Sequence, residues 1–147
     1  MPTLWTIGYE RLTPEALAAE LEAAGVRRVL DVRIRPQSRR PGMSKTKLGL
    51  LLGAHGISYE SRRDLGTPPE IKPLYKRGAV LEGARALRIH LEASAAGELD
   101  ALAAELAEPD TPRTALLCLE AEPGHCHRRA VAELLCEREP ALRVVDL

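Results

Sequence analysis

Apolar positions along the chain fall in short runs, and longer stretches of helical spacing separate them. This alternation predicts βα units around a mostly parallel sheet. Thr3–Gly8 reads as the first strand. Thr13 precedes Pro14, and Leu17, Leu21 and Ala24 recur at helical intervals until Gly25, which predicts a capped helix. A second strand is expected over 28–34, with Val29, Leu30 and Val32 buried. Ser44 then stands as the cap of a helix in which Leu48, Leu51, Leu52 and His55 share one face. A third strand is expected near 57–60. Residues 64–78 hold several Pro and Gly and read as a long loop. Val80, Ala84, Leu87 and Leu91 space as a helix, as do Leu99, Leu102 and Leu106. Residues 114–119 form a clear strand. Pro123-Gly124 then turns into a helix carrying Val131, Leu134 and Leu135, and 142–145 supplies a last strand. The expected fold is one α/β domain over 1–147, a mostly parallel sheet of about five strands flanked by helices.

Composition changes that picture in two places. The 147 residues suit one domain that buries a core without staples. Acidic and basic residues balance at 21 each, so overall charge does not suggest a nucleic-acid partner. The balance hides a basic stretch over 33–47: Arg33, Arg35, Arg39, Arg40, Lys45 and Lys47, with no acidic residue among them. The start lacks a signal-peptide pattern, and no apolar run approaches the ~20 residues of a membrane span, so a cytoplasmic chain without a membrane partner is expected. Three cysteines, an odd number, do not make a disulfide framework, and reduced thiols are expected. With no Phe, a stacking platform for nucleic acid has little to use.

In open α/β sheets, ligands bind beyond the carboxyl ends of the strands. Three expected strand ends carry polar residues: Gly8-Tyr9, Asp31-Val32-Arg33 and Cys118-Leu119-Glu120. A carboxylate in a buried strand needs a partner, and Arg33 is the obvious one for Asp31. The plain alternative is a purely structural ion pair. The last helix opens with His125, Cys126, His127, Arg128 and Arg129, which is the wrong charge sign for a helix N-terminus. An anion is therefore expected there: Glu120, Glu122, Asp31 or a phosphate-like ligand. Arg128 and His127 align with the apolar stripe and point inward, whereas Arg129 is solvated. Cys126 sits where a thiol pKa is lowered, which makes it a candidate nucleophile that Cys136 is not. A cysteine-phosphatase loop needs Arg six positions after Cys, and those positions hold Gly124 and Ala132. Cys118 otherwise reads as a small core residue. Cys118, Glu120, His125, Cys126 and His127 are all metal-ligand types, but neighbours on a helix diverge and no C-x-x-C pair exists, so no metal ligands are assigned. His55 and His90 read as packing residues.

Thr6-Ile7-Gly8-Tyr9, Asp31-Val32-Arg33, Pro36-Gln37-Ser38-Arg39-Arg40-Pro41, Leu65-Gly66, Leu116-Leu117-Cys118-Leu119-Glu120 and Cys126-His127-Arg128 follow one another along nearly the whole chain. In these motifs the chain resembles the bacterial family catalogued as domain of unknown function 488. Met43 stands where the family usually has an aromatic residue, and the chain stops soon after Val145-Asp146. The resemblance implies a compact α/β domain with a site at these motifs, and it implies no reaction. Asp-Val-Arg after a strand is also similar to rhodanese-like domains, at the level of fold alone.

The sequence thus predicts a domain that binds or acts on a small anionic ligand, phosphate- or nucleotide-like. Tyr9, Arg33, Arg39, Arg40, Cys118, Glu120 and Arg128 are the expected ligand-binding residues, and Asp31, Cys126 and His127 are the candidates for catalysis. The alternatives are a nucleic-acid-binding accessory protein using the basic loop 33–47, and a metal-binding domain. Enzymatic activity, cofactor and oligomeric state are left open.

Overall fold

A computed structural model of the chain describes residues 1–120 and 127–147. Its sheet has five strands in the order β3-β2-β4-β1-β5, every neighbouring pair parallel. The strands are β1 (Thr3–Gly8), β2 (Arg28–Asp31), β3 (Ser58–Ser61), β4 (Thr114–Cys118) and β5 (Arg143–Asp146). Central β2 and β4 are buried along their whole length, as strands of a parallel sheet covered on both faces should be. The edge strands β3 and β5 are partly or wholly exposed.

Helices α1 (Pro14–Ala23) and α2 (Lys45–Ala54) cover one face. There Leu17, Leu21, Leu48 and Leu52 pack on Ile7, Val29 and Leu117. Helices α4 (Val80–Ser94), α5 (Ala96–Ala107) and α6 (His127–Arg138) cover the other, packing Leu87, Leu99 and Val131 against Leu4, Leu30 and Leu116. Thr13 caps α1 by accepting from the Ala16 amide at 3.1 Å, with Pro14 opening the helix. Ser44 precedes α2 but makes no capping bond, because its hydroxyl instead accepts from the Ser38 amide at 3.0 Å and closes the preceding loop.

Two stretches differ from the sequence expectation. The β2 ladder ends at Asp31, where β3 also ends at its partner Ser61, and the chain then bends away instead of continuing to residue 34. Residues 64–78 are not one loop. A 3-10 turn at Arg63–Leu65 and the short helix α3 (Lys72–Lys76), with Pro73 in its first turn, divide them. Local i→i+3 and i→i+4 bonds hold these turns without any apolar period, so hydrophobic spacing does not reveal them.

Candidate functional site

The three polar strand ends meet at one edge. Gly8 lies opposite Cys118 and Asp31 opposite Leu117. The Tyr9, Glu10 and Val32 amides extend the pairing by donating to the Cys118, Leu119 and Leu117 carbonyls at 3.1, 2.8 and 3.1 Å. β4 lies between β2 and β1, and the helix that follows it, α6, packs on the opposite face of the sheet from α1 and α2, which opens a crevice at this edge. Gly8 makes the crossing possible. A Cβ at this position would lie 1.7 Å from the Glu120 carbonyl oxygen and 2.7 Å from Arg128 Nη1.

Asp31 is fully buried and its oxygens are surrounded by donors. Arg33 donates from its backbone amide at 3.0 Å, from Nε at 2.9 Å and from Nη2 at 2.7 Å, and the Tyr59 hydroxyl donates as well. Arg33 Nη1 donates to the Met43 carbonyl at 2.8 Å and the Tyr9 hydroxyl at 3.2 Å, with the Tyr9 ring 5.2 Å from the guanidinium carbon. Burial works against the Arg33 charge, but the bonds to Asp31 outweigh it and hold the guanidinium above its ordinary pKa. Burial, and then the bond to Asp31, push the Tyr59 hydroxyl up.

Beyond this network lies a cavity of about 600 Å³. Tyr9, Arg33, Leu119, Glu120 and His127 come to it from the strand ends and α6, Arg35 and Gln37 from the basic loop, and Thr67, Lys72, Tyr75 and Lys76 from the 64–78 stretch. Gly66 seats that wall, since a Cβ there would lie 2.7 Å from the Ile34 amide nitrogen. Thr67 is 4% exposed, and neither its hydroxyl nor that of Tyr75 has a hydrogen-bond partner among the described residues. Burial, with Glu133 and Glu120 nearby, pushes the Tyr75 hydroxyl up to about 12. His127 Nε2 lies 2.8 Å from the Val32 carbonyl, which can only accept, so Nε2 carries the proton. Burial pushes the imidazole down to about 4; the Val32 contact opposes this, and the charges of Lys72 and Arg128 add to it. His127 is therefore neutral near pH 7.

The remaining expected residues divide. Arg128 is fully buried, as its inward position predicts, and its Nη1 donates to the Cys118 sulfur at 3.2 Å and to the Glu120 carbonyl. Arg40 braces the edge, donating to the Tyr9, Glu10 and Leu12 carbonyls at 2.7, 2.6 and 2.5 Å. Arg39 is exposed and lines a second, broader hollow instead of the cavity. Cys118 is buried and disulfide-bonded, which corrects the expectation of reduced thiols throughout, whereas Cys136 is a free thiol. Ligand atoms of Cys118, Glu120 and His127 lie within 4.8 Å of one another, but the disulfide occupies the sulfur that a metal would use. Cys126, with Glu122 and His125, lies outside the described residues. His55 pairs with Glu22 at 3.2 Å and His90 lies beside the Ser94 hydroxyl, so neither is simply a packing residue.

Sequence reasoning missed Thr67, Lys72, Tyr75 and Lys76. The available signal was the length of the Pro- and Gly-containing stretch directly after Leu65-Gly66.

The family model described as Domain of unknown function DUF488 matches residues 13–135. No curated protein and no solved structure matches the chain.

Proposed function

The chain belongs to the DUF488 family, whose description assigns no activity, and we propose from the site itself that it binds a small phosphate-bearing ligand of about nucleotide size. The cavity volume falls in the range of pockets that hold such ligands. The Asp31–Arg33 pair is nearly neutral as a unit, so the attraction comes from Arg35, Lys72 and Lys76. None of these three forms an ion pair with a described residue, and Glu120 is the one carboxylate lining the cavity among them. Four of the five Arg33 N–H groups are engaged within the protein, which leaves one Nη2 hydrogen for a ligand. Asp31 positions that guanidinium. His127, held neutral, adds a hydrogen-bonding edge and no charge. His127 is the group we assign to any chemical step on a bound ligand; Cys126 carries none, because with Cys136 free it is the one cysteine left to pair with the disulfide-bonded Cys118.

The observation that carries this reading is the Thr67 hydroxyl, buried and unpartnered on the wall of a cationic cavity. An unsatisfied buried polar group costs about 1–3 kcal/mol, and a ligand acceptor would recover it. Titration calorimetry with AMP, paired with urea unfolding, tests the idea through two effects of opposite sign. Thr67→Val should leave the free protein as stable or more so, yet weaken AMP binding about 3- to 10-fold, as for loss of one hydrogen bond. Lys72→Ala should weaken binding at least as much. Saturable AMP binding that ignores both substitutions, or no binding at all, would overturn the reading.

A further inference from the structure

The second hollow adjoins the cavity, and the two share Arg35 and Gln37 in their linings. It measures about 1010 Å³ and collects Arg35, Arg39, Arg40, Lys45, Lys47 and Arg63, with no carboxylate among the described residues that line it. None of these six forms an ion pair with a described residue, although the whole chain sums to zero charge. The loop that presents them is held in place. Ser38 bonds Ser44, the Lys45 amide donates to the Pro36 carbonyl at 2.9 Å, and Arg40 is tied to three carbonyls. The backbone that presents the remaining cations thus has little further ordering to lose on binding.

The two compartments differ in chemistry. The cavity offers the aromatic and apolar walls of Tyr75, Ile34, Val80 and Leu119, where a base and sugar fit. The hollow offers six cations among Pro, Gly, Ser, Thr and Gln residues, with no aromatic side chain among the described residues that line it, which is the footprint of a phosphate chain. Given the reading of the cavity proposed above, on which this step rests, we infer that its ligand is the terminal nucleotide of a single-stranded nucleic acid. The end nucleotide enters the cavity, and the phosphates next to it cross the hollow. A paired base would first have to be pulled from its partner at a cost of a few kcal/mol, whereas the end of a single strand enters without that cost. The hollow meets the cavity at Arg35 and Gln37, so phosphates crossing it leave the cavity in that one direction, as they do from an end nucleotide.

Fluorescence anisotropy on the full chain tests this with eight-nucleotide strands labelled at either end, a circular single strand, AMP and tripolyphosphate. One linear strand should bind at least tenfold tighter than AMP. Its affinity should fall with log salt at a slope of about −2, as for three neutralised phosphates. The combined substitution Arg39→Ala, Lys45→Ala, Lys47→Ala should abolish that gain and leave AMP affinity unchanged, and the circular strand should bind at least tenfold more weakly. Equal affinity for AMP and strand overturns the inference while the cavity reading stands. Circular strand binding as tightly, or tripolyphosphate competing as well as the strand, also overturns it. Absence of binding by both AMP and strand overturns both readings.

Discussion

On the face covered by α4, α5 and α6, Arg88 lies 2.5 Å from Glu137, Arg129 3.3 Å from Glu133, and Arg138 2.9 Å from Glu92 and 2.7 Å from Asp100. Around the hollow beside the strand ends, Arg35, Arg39, Lys45 and Lys47 meet no carboxylate among the described residues. The same residue types are compensated in one region and left uncompensated in the other. Exposed pairs on a helical face add little stability, so their value there is mainly solubility and helix support. A cluster of like charges held in a fixed loop slightly opposes folding, a cost that the strand-binding role inferred above would offset.

The contrast is most severely tested at the boundary, where Asp31 neutralises Arg33 inside the cavity wall. Asp31→Asn leaves the buried guanidinium without its counter-charge and should cost about 3–5 kcal/mol, read as a lower midpoint in urea unfolding. A loss below about 1 kcal/mol would mean that Arg33 is compensated like an exposed arginine and would erase the boundary.

A smaller effect belongs to His127. Its folded pKa of about 4 lies below the ordinary 6.5 of the unfolded chain, so the unfolded state takes up more protons between these values. Stability should fall as pH drops from about 6.5 toward 4, and His127→Gln should remove about one proton from the uptake on unfolding in that window. Unfolding curves at stepped pH check this. An unchanged pH slope in His127→Gln would show that the imidazole is already charged in the fold and belongs with the uncompensated cations.

The smallest expected change is the sharpest comparison. Arg88→Ala should cost up to about 1 kcal/mol, whereas Lys45→Ala with Lys47→Ala should cost nothing or stabilise by a few tenths, through relief of repulsion. If thermal unfolding shows the lysine pair costing as much as Arg88, the loop cations have partners and the two regions are alike.

Much of this arrangement was legible in the chain. Thr3–Gly8 is bounded as its apolar run predicts, and the Asp31–Arg33 pair follows from the cost of burying a carboxylate in a strand. Arg128 turns inward because its spacing to Val131 and Leu135 puts it on the buried stripe. Arg39 and Arg40 were not separable, since side chains in an irregular loop have no period to sort them. Only the folded path shows Arg40 reaching three carbonyls while Arg39 stays in the hollow. Thr67 and Lys72 were invisible for a related reason. Gly66 brings them to the cavity through a close backbone approach to Ile34, and such an approach leaves no mark in hydrophobic spacing.

The uncompensated hollow also has a consequence at long range. Because the chain sums to zero, six positive charges gathered there leave six formal negative charges on the rest of the molecule. Such a protein is an electric dipole without a monopole. A polyanion approaching it exerts a torque before any contact forms, turning the strand-end edge forward while net attraction is still small. That torque fades beyond the Debye length of about 8 Å at physiological salt, so orientation is decided only in the last layers of water. In dilute salt the same dipole lets one copy's basic edge face the acidic flank of the next, and light scattering should show association that added salt dissolves.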